Sequence, residues 1–586
     1  VMKKWSLAKL YTGFDDPKYL QDLKQLEALI IEINSQEVDF NNYENKKAKL
    51  VKFLNNSLRF NHLIDQLYHF ASLTESVEST NTQAIKNTNL LERKMTELTK
   101  IDTVFTKWLS KYPDFDLEIS ENDFIKEHEF YLRERMDYAR HMLTDDLEIM
   151  VSKLRQTGSS AFGTLQSLLT STLEVNYNDK IITLSEVRNL ATDASSNVRK
   201  SAYEAELKAY EKIDKSVAAA LNAIKGEVNT ISKARGYKSP LDQALKNSRM
   251  SKETLEAMQE AVKDYYGIFR EYLKRKAKLL GHKNGLPFYD LFAPIGSVDK
   301  RFTIEEANNY ILTNFKTFSD NLFSLAKRAF DEEWIDYTPR NGKVGGAFCA
   351  NIHSIKESRV MTNFTGAFGD MITLAHELGH AYHGEAIFGE TSLNSDYTMP
   401  VAETASTFCE TIVNKAALAE CQNIQEKIFL LESSIQDYTQ VVVDIMSRFI
   451  FEKAVFEGRE NTIFDVEELK GLMIEAQKET YGEGLDFESL HPYMWVCKPH
   501  YYSGGLSFYN FPYTFGLLFA KGLYAKYLVE KKEFVANYDK LLSSTGKMSV
   551  ENVALLMGID VTDKAFWVSS LDLIREDIEE FLDLTK

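Results

Sequence analysis

Proline is scarce in this chain, with 10 residues in 586. That argues against a turn-rich all-β fold and favours long helices. Cysteine is scarcer still. Cys349, Cys409, Cys421 and Cys497 are too scattered for a disulfide framework, and none forms a CxxC pair. Reduced thiols in a cytosolic protein are expected. Positive charge is in deficit, 69 Lys+Arg against 86 Asp+Glu, for a net charge of −17. A surface of that sign repels nucleic acid and anionic membrane, so neither is expected as a partner. No apolar run reaches the ~18 residues of a membrane span; 511–520 comes nearest, and Lys521 ends it. The opening residues lack an apolar core followed by a small-residue cleavage site, so no secretory signal is read there and a cytoplasmic location is expected.

Hydrophobic content of 44% and charged content of 26% are ordinary for a soluble globular protein. Apolar residues recur at helical spacing over 19–34 (Leu20, Leu23, Leu26, Leu29, Ile30) and again over 46–69. Further helices are predicted over 124–154, 197–210, 215–234 and 251–280, and one helical stretch over 302–330. Breaks fall at Tyr112-Pro113-Asp114 and near Gly158. A polar connection at 176–180 leads into a short extended piece, 181–184. The segment 281–295 reads as loop. Two short β-branched or aromatic segments, 342–352 and 358–364, bracket a polar turn and predict a hairpin. Helices then run to the C-terminus, interrupted by a Gly- and Tyr-rich loop at 498–513.

The segment after the predicted hairpin carries the most specific chemistry, His376-Glu-Leu-Gly-His380. A spacing of four sets the two imidazoles one above the other on one helix face, where both can hold one zinc ion. Glu377 lies beside them, placed to take a proton from water that the metal activates. A catalytic zinc wants a third protein ligand. The pattern with a third histidine ten residues after the first fails, because that position is Ala386 and the glycine position is His383. The alternative is a carboxylate from a following helix. Pro400 opens such a helix, with Glu403 in its first turn and Glu410 seven residues on, on the same face. Glu403 is therefore the expected third ligand and Glu410 a carboxylate steadying a ligand imidazole, with Glu385 and Glu410 as rivals for the metal. His383 lies two turns from His376, too far to share its metal, and is expected to meet substrate or a ligand side chain.

These and other segments resemble the M3 family of zinc oligopeptidases, in its oligoendopeptidase F subgroup. The similarity is carried by Trp5-Ser-Leu-Ala-Lys-Leu-Tyr11, Phe14-Asp-Asp-Pro17, Gly342-Lys-Val-Gly-Gly-Ala-Phe-Cys349 and Met361-Thr-Asn-Phe-Thr-Gly366. It extends through Leu374–His383, Pro400-Val-Ala-Glu-Thr-Ala-Ser406, Lys498-Pro-His-Tyr-Tyr502 and Phe508-Tyr-Asn-Phe-Pro-Tyr513. The resemblance implies a mainly α, two-lobed helical zincin enclosing a deep channel, with a small β-ribbon next to the zinc helix. It divides the chain into an N-terminal helical lobe, 1–195, and a catalytic region, 196–586. It implies one Zn2+ per chain and short unstructured peptides as substrates.

On this reading the reaction is hydrolysis of internal peptide bonds without a covalent intermediate, Glu377 serving first as base and then as acid. Tyr509, Tyr513 and His500 are the candidate donors to the tetrahedral oxyanion. Tyr502, or Tyr501 with it, is a further candidate contact. Substrate backbone is expected to pair with the hairpin edge around Gly345-Gly346-Ala347, where glycines allow close approach. Two other readings stand beside this one: a zinc carboxypeptidase or dipeptidase of similar helical fold, and a non-catalytic peptide-binding protein.

Overall fold

The helix-forming runs become helices with few exceptions in the computed structural model, which describes residues 4–296 and 301–586. Pro17–Ser35 starts at Asp16, whose carboxylate caps the Lys18 amide, with Pro17 at the first helical position. The run begun at Lys46 continues to Val77, beyond the expected 69. The stretch 302–330 is two helices, Ile304–Phe318 and Asp320–Asp331. Ser319 is extended and its hydroxyl caps the second helix at Asn321 and Leu322, a competition with helical backbone that apolar periodicity does not register.

Five short strands form two sheets among the described residues. β1 (Glu174–Tyr177) and β2 (Lys180–Thr183) pair as a hairpin. Its two-residue turn, Asn178-Asp179, has both φ angles positive, the geometry that matches strand twist. The other sheet has the order β3-β5-β4, from Ile335–Asp336, Glu357–Met361 and Phe348–Ile352. The predicted hairpin is β4 and β5, in register Phe348↔Met361 through Ile352↔Glu357. β3 adds in parallel to β5. Two residues are too few to show a period in sequence.

The chain folds as two compact units, each built from three segments. The first comprises Val1–His141, Lys300–Ala416 and Tyr527–Gly558; the second comprises Met142–Asp299, Ala417–Lys526 and Ile559–Lys586. These units do not coincide with the sequential regions 1–195 and 196–586. The reason is a shared core: Tyr11, Leu26, Leu67 and Phe70 cluster with Ile352 of β4 and Met361 of β5, tying the N-terminal helices to the second sheet. In the second unit, Lys252–Leu279 packs on Lys564–Leu584 and Ser159–Ser171 on Asp214–Ala234. A π-helical turn, Gln440–Asp444, joins Ile424–Thr439 to Ile445–Gly458 there. No helix among the described residues is long and apolar enough to cross a membrane.

Candidate metal centre

Of the residues singled out for chemistry in the sequence, the first unit gathers the candidate metal ligands, His376 and His380 on one helix and Glu403 at a junction between two others. Phe368–Ile387 is the metal helix. Asp370 fixes its start by accepting hydrogen bonds from the Thr365 and Ala367 amides at 2.7 and 3.1 Å. Its inner face packs on β4 and β5, and on Asp320–Asp331 and Lys532–Ser544. Met399–Ala402 is a single turn of helix, and Thr404–Glu420 is the helix that follows. Glu403 stands at the junction between them with φ −88° and ψ 5°, rather than inside a first turn.

That junction aims Glu403 at both imidazoles. Its Oε2 lies 3.2 Å from His376 Nε2 and 3.4 Å from His380 Nε2. The three ligand atoms fall within 4.8 Å of one another. The rings meet edge to face with centroids 5.0 Å apart. Glu410 Oε2 is 3.3 Å from His376 Nδ1, so that ring is held from both nitrogens by carboxylates. Ser406 donates at 2.6 Å to the same Glu403 Oε2 that faces the imidazoles. Among the described residues no other set of three His, Cys, Asp or Glu comes together in this way.

The electrostatics fit a divalent cation. Burial opposes protonation of His376, yet Glu403 and Glu410 push it up to about 10. Burial works against the Glu403 charge too, and the two imidazoles hold its carboxyl well below the usual carboxylate range. Two imidazoles and a carboxylate are a common zinc donor set. Glu377 is buried at 6% exposure, and burial raises its carboxyl above the ordinary value. Its Oε2 is buried without a hydrogen-bond partner among the described residues. An orphaned oxygen of that kind costs stability unless something outside the protein meets it.

Several residues that periodicity did not reveal position this centre. A methyl at Gly379 would stand 2.5 Å from Ser406 Cα and 2.6 Å from the Ala405 carbonyl oxygen, so only glycine lets the two helices approach. Glycine inside an apolar helical pattern is the sequence signal for such an approach. Gly379→Ala is expected to destabilise the protein by about 1–3 kcal/mol through overpacking, and to loosen metal by displacing Glu403. Thermal melting and metal content check it; wild-type values in both would reject the packing role. Asn351 of β4 donates to the His380 carbonyl oxygen at 3.1 Å and accepts from Ser358 at 2.7 Å, pinning sheet to metal helix. Tyr538 donates to the Thr404 carbonyl oxygen at 3.1 Å, beside the Glu403 junction.

Other expected site residues fall elsewhere. His383 is fully buried, stacks on Tyr397 at 4.1 Å and pairs with Thr545 Oγ1 at 2.7 Å. Burial pushes it down to about 3, so it is a neutral packing histidine and not a substrate contact. Glu385 points outward to Arg328 at 2.7 Å, as its spacing predicts. Gly345, Gly346 and Ala347 form the bend that leads into β4, outside the strand itself. Asn363 holds that bend through the Val344 and Gly346 carbonyl oxygens. β4 is one of the two edge strands of its sheet.

His500, Tyr509 and Tyr513 belong to the second unit and form a cluster there. The Tyr509 and Tyr513 hydroxyls lie 2.5 Å apart, and His500 stacks on Tyr509 at 5.6 Å. Asn510 Nδ2 donates to His500 Nε2 at 2.7 Å, and burial with the nearby Arg448 and Lys498 charges pushes His500 down to about 3. Tyr502 is buried and donates to the Trp495 carbonyl oxygen at 2.9 Å. Tyr501 is fully buried. Both tyrosines are core residues, and the expected substrate contact at Tyr502 is corrected accordingly.

Comparisons with known proteins bear on the family and the fold. The profile described as Peptidase family M3 matches residues 189–573, and that described as Oligopeptidase F matches 114–174. Group B oligopeptidase PepB of Streptococcus agalactiae is 22% identical over 542 residues, 89% of this chain and 88% of that one. An oligoendopeptidase F homolog of Lactococcus lactis is 21% identical, covering 98% of this chain and 96% of the relative. Among solved structures, a peptidase from Chlamydophila abortus superposes with TM-score 0.87 at 20% identity, over 100% of this chain and 98% of the other. Oligoendopeptidase-F from Enterococcus faecium superposes with TM-score 0.70 at 18% identity, over 97% and 98%. At such identities the structures speak for the fold.

Proposed function

The chain belongs to peptidase family M3, a family of zinc metallopeptidases, and from that premise we propose that it cleaves internal bonds of short, unstructured oligopeptides admitted to an enclosed channel. One zinc per chain would be held by His376, His380 and Glu403. The observation that carries this reading is the partnerless, buried Glu377 Oε2 next to that three-ligand set. When bound, zinc supplies Lewis acidity, lowering the pKa of water from about 16 toward about 7.

Glu377 accepts the proton as water oxygen bonds to the scissile carbonyl carbon. It then delivers that proton to the departing nitrogen as the C–N bond breaks, and the second proton of the water passes from the new carboxyl to the amine, leaving a carboxylate and an ammonium. Its burial makes it a stronger base than an exposed glutamate. Glu410 keeps His376 oriented through Nδ1. We assign Tyr509, Tyr513 and His500 as donors to the developing oxyanion. The Asn510 contact to His500 Nε2 leaves the Nδ1 proton of a neutral ring for that purpose. Tyr513→Phe and Tyr509→Phe are each expected to lower kcat by ~10²–10³ with little change in KM. Normal turnover in both variants would remove the tyrosines from the mechanism. Substrate backbone would add along β4, entering past Gly345-Gly346-Ala347, and main-chain pairing of that kind tolerates many side chains.

The deciding experiment incubates the protein with mixed peptides and a folded protein, with and without a chelator, and reads the products by mass spectrometry. Internal cuts in peptides alone, lost with the chelator and restored by zinc, are expected. Ladders from one end would mean an exopeptidase, and cutting unaffected by chelation would discard the metal mechanism.

A further inference from the structure

The second unit contains a cavity of about 360 Å³ that the peptidase reading does not use. Arg188, Arg448, Lys498 and His491 line it, with Tyr203 and Phe292 among its aromatic walls. Its size lies within the ~300–1,000 Å³ range of small-molecule sites. Most of its charges are answered. Arg188 donates to Glu206 at 2.6 Å, Arg199 to Asp290 at 2.7 Å, and Arg448 pairs with Asp444. Lys498, half-buried, has no hydrogen-bond or ion-pair partner among the described residues, whereas the fully buried lysines of this unit do. Lys225 pairs with Glu452 at 2.7 Å, and Lys276 with Glu432 at 2.6 Å.

Further polar atoms at the same cavity lack partners. His491 is 1% exposed, and neither of its ring nitrogens makes a hydrogen bond; the nearest carboxylate, Glu206, is 3.5 Å from Nε2. Arg448 Nε is buried without a partner. The π-helical turn Gln440–Asp444 supplies both of its end residues to the lining. Such turns are rare and concentrate at functional sites. Burial, with Arg448 nearby, lowers the Lys498 ammonium below its ordinary value, as expected of a cation that lacks its anion.

We propose that this cavity binds a small carboxylate bearing an aromatic or apolar side chain, the acid meeting Lys498 and Arg448 and the side chain lying against the aromatic walls. A free amino-acid derivative or a short peptide's terminus has that chemistry. An inorganic anion would satisfy the charge and leave the rings wet. The proposal goes beyond the peptidase reading, because its readout is binding and needs no turnover.

The test titrates the full chain by calorimetry with N-acetylphenylalanine, its uncharged amide, and sodium chloride, in metal-loaded and chelated protein. Saturable binding of the acid is expected in both metal states, with the amide at least ~10-fold weaker, as befits loss of a charged hydrogen bond. Lys498→Met should lose a similar factor and melt no lower than wild type without ligand, since it removes an unpaired, half-buried cation. Lys498→Arg should retain binding. The proposal is overturned by equal binding of the amide, by binding that vanishes with the metal, or by full competition from equimolar chloride. Unchanged affinity in Lys498→Met, or equal losses in the Met and Arg variants, would overturn it as well.

Discussion

Glu377→Gln is expected to keep its metal and its fold while kcat falls toward the upper end of the ~10²–10⁴ range for a lost general base. The amide has nearly the shape of the acid, so packing around this 6%-exposed side chain is preserved. What disappears is a basic oxygen. The wild-type carboxylate has a buried Oε2 with no hydrogen-bond partner, so the neutral variant relieves a desolvation cost. Its melting temperature is therefore expected to equal or exceed that of wild type, while kcat falls. Elemental analysis, melting and steady-state kinetics measured on one preparation separate these effects. Wild-type turnover would refute the base assignment, and loss of metal would show that Glu377 acts on the ligands rather than on water.

Glu403→Ala is expected to release metal far more completely than Glu410→Ala. Glu403 faces the Nε2 atoms of both histidines at 3.2 and 3.4 Å, whereas Glu410 reaches only His376 Nδ1. Losing Glu403 leaves two imidazoles where a catalytic zinc wants three protein ligands. Losing Glu410 removes an orienting partner, typically worth ~10–100-fold in affinity. Competition against a chromophoric chelator ranks the variants. Equal affinity in the two would mean that Glu410 is itself a ligand, and stoichiometric metal in Glu403→Ala would reject the triad.

The juxtaposition of His376 and His380 is legible in sequence because a spacing of four has one consequence in a helix. Glu403 is legible for a weaker reason, a proline-opened segment with a carboxylate near its start. The junction that aims it is held by a tertiary contact from Tyr538, which lies outside any local pattern, together with the local bond from Ser406 three residues on. Gly379 looks like a neutral spacer until Ser406 is seen against it. His383, Tyr501 and Tyr502 mislead for the opposite reason. Polar tips on aromatic rings read the same in sequence whether they face ligand or core, and here Thr545 and the Trp495 carbonyl answer His383 and Tyr502. The unpaired state of Lys498 is not legible in sequence, because a missing counter-ion is visible only once its surroundings are assembled.

The interleaving of the two units bears on biosynthesis. Tyr382 bonds to Asp539, His383 to Thr545, and Thr404 is held by Tyr538, so the scaffold behind the candidate ligands is drawn from a segment far downstream of the two imidazoles. At ribosomal speeds of ~5–20 residues per second, the imidazoles emerge roughly 10–30 s before the segment that braces them. A nascent chain therefore carries the candidate ligands without that brace for the interval, and maturation of the centre awaits translation of the segment that holds Tyr538, Asp539 and Thr545.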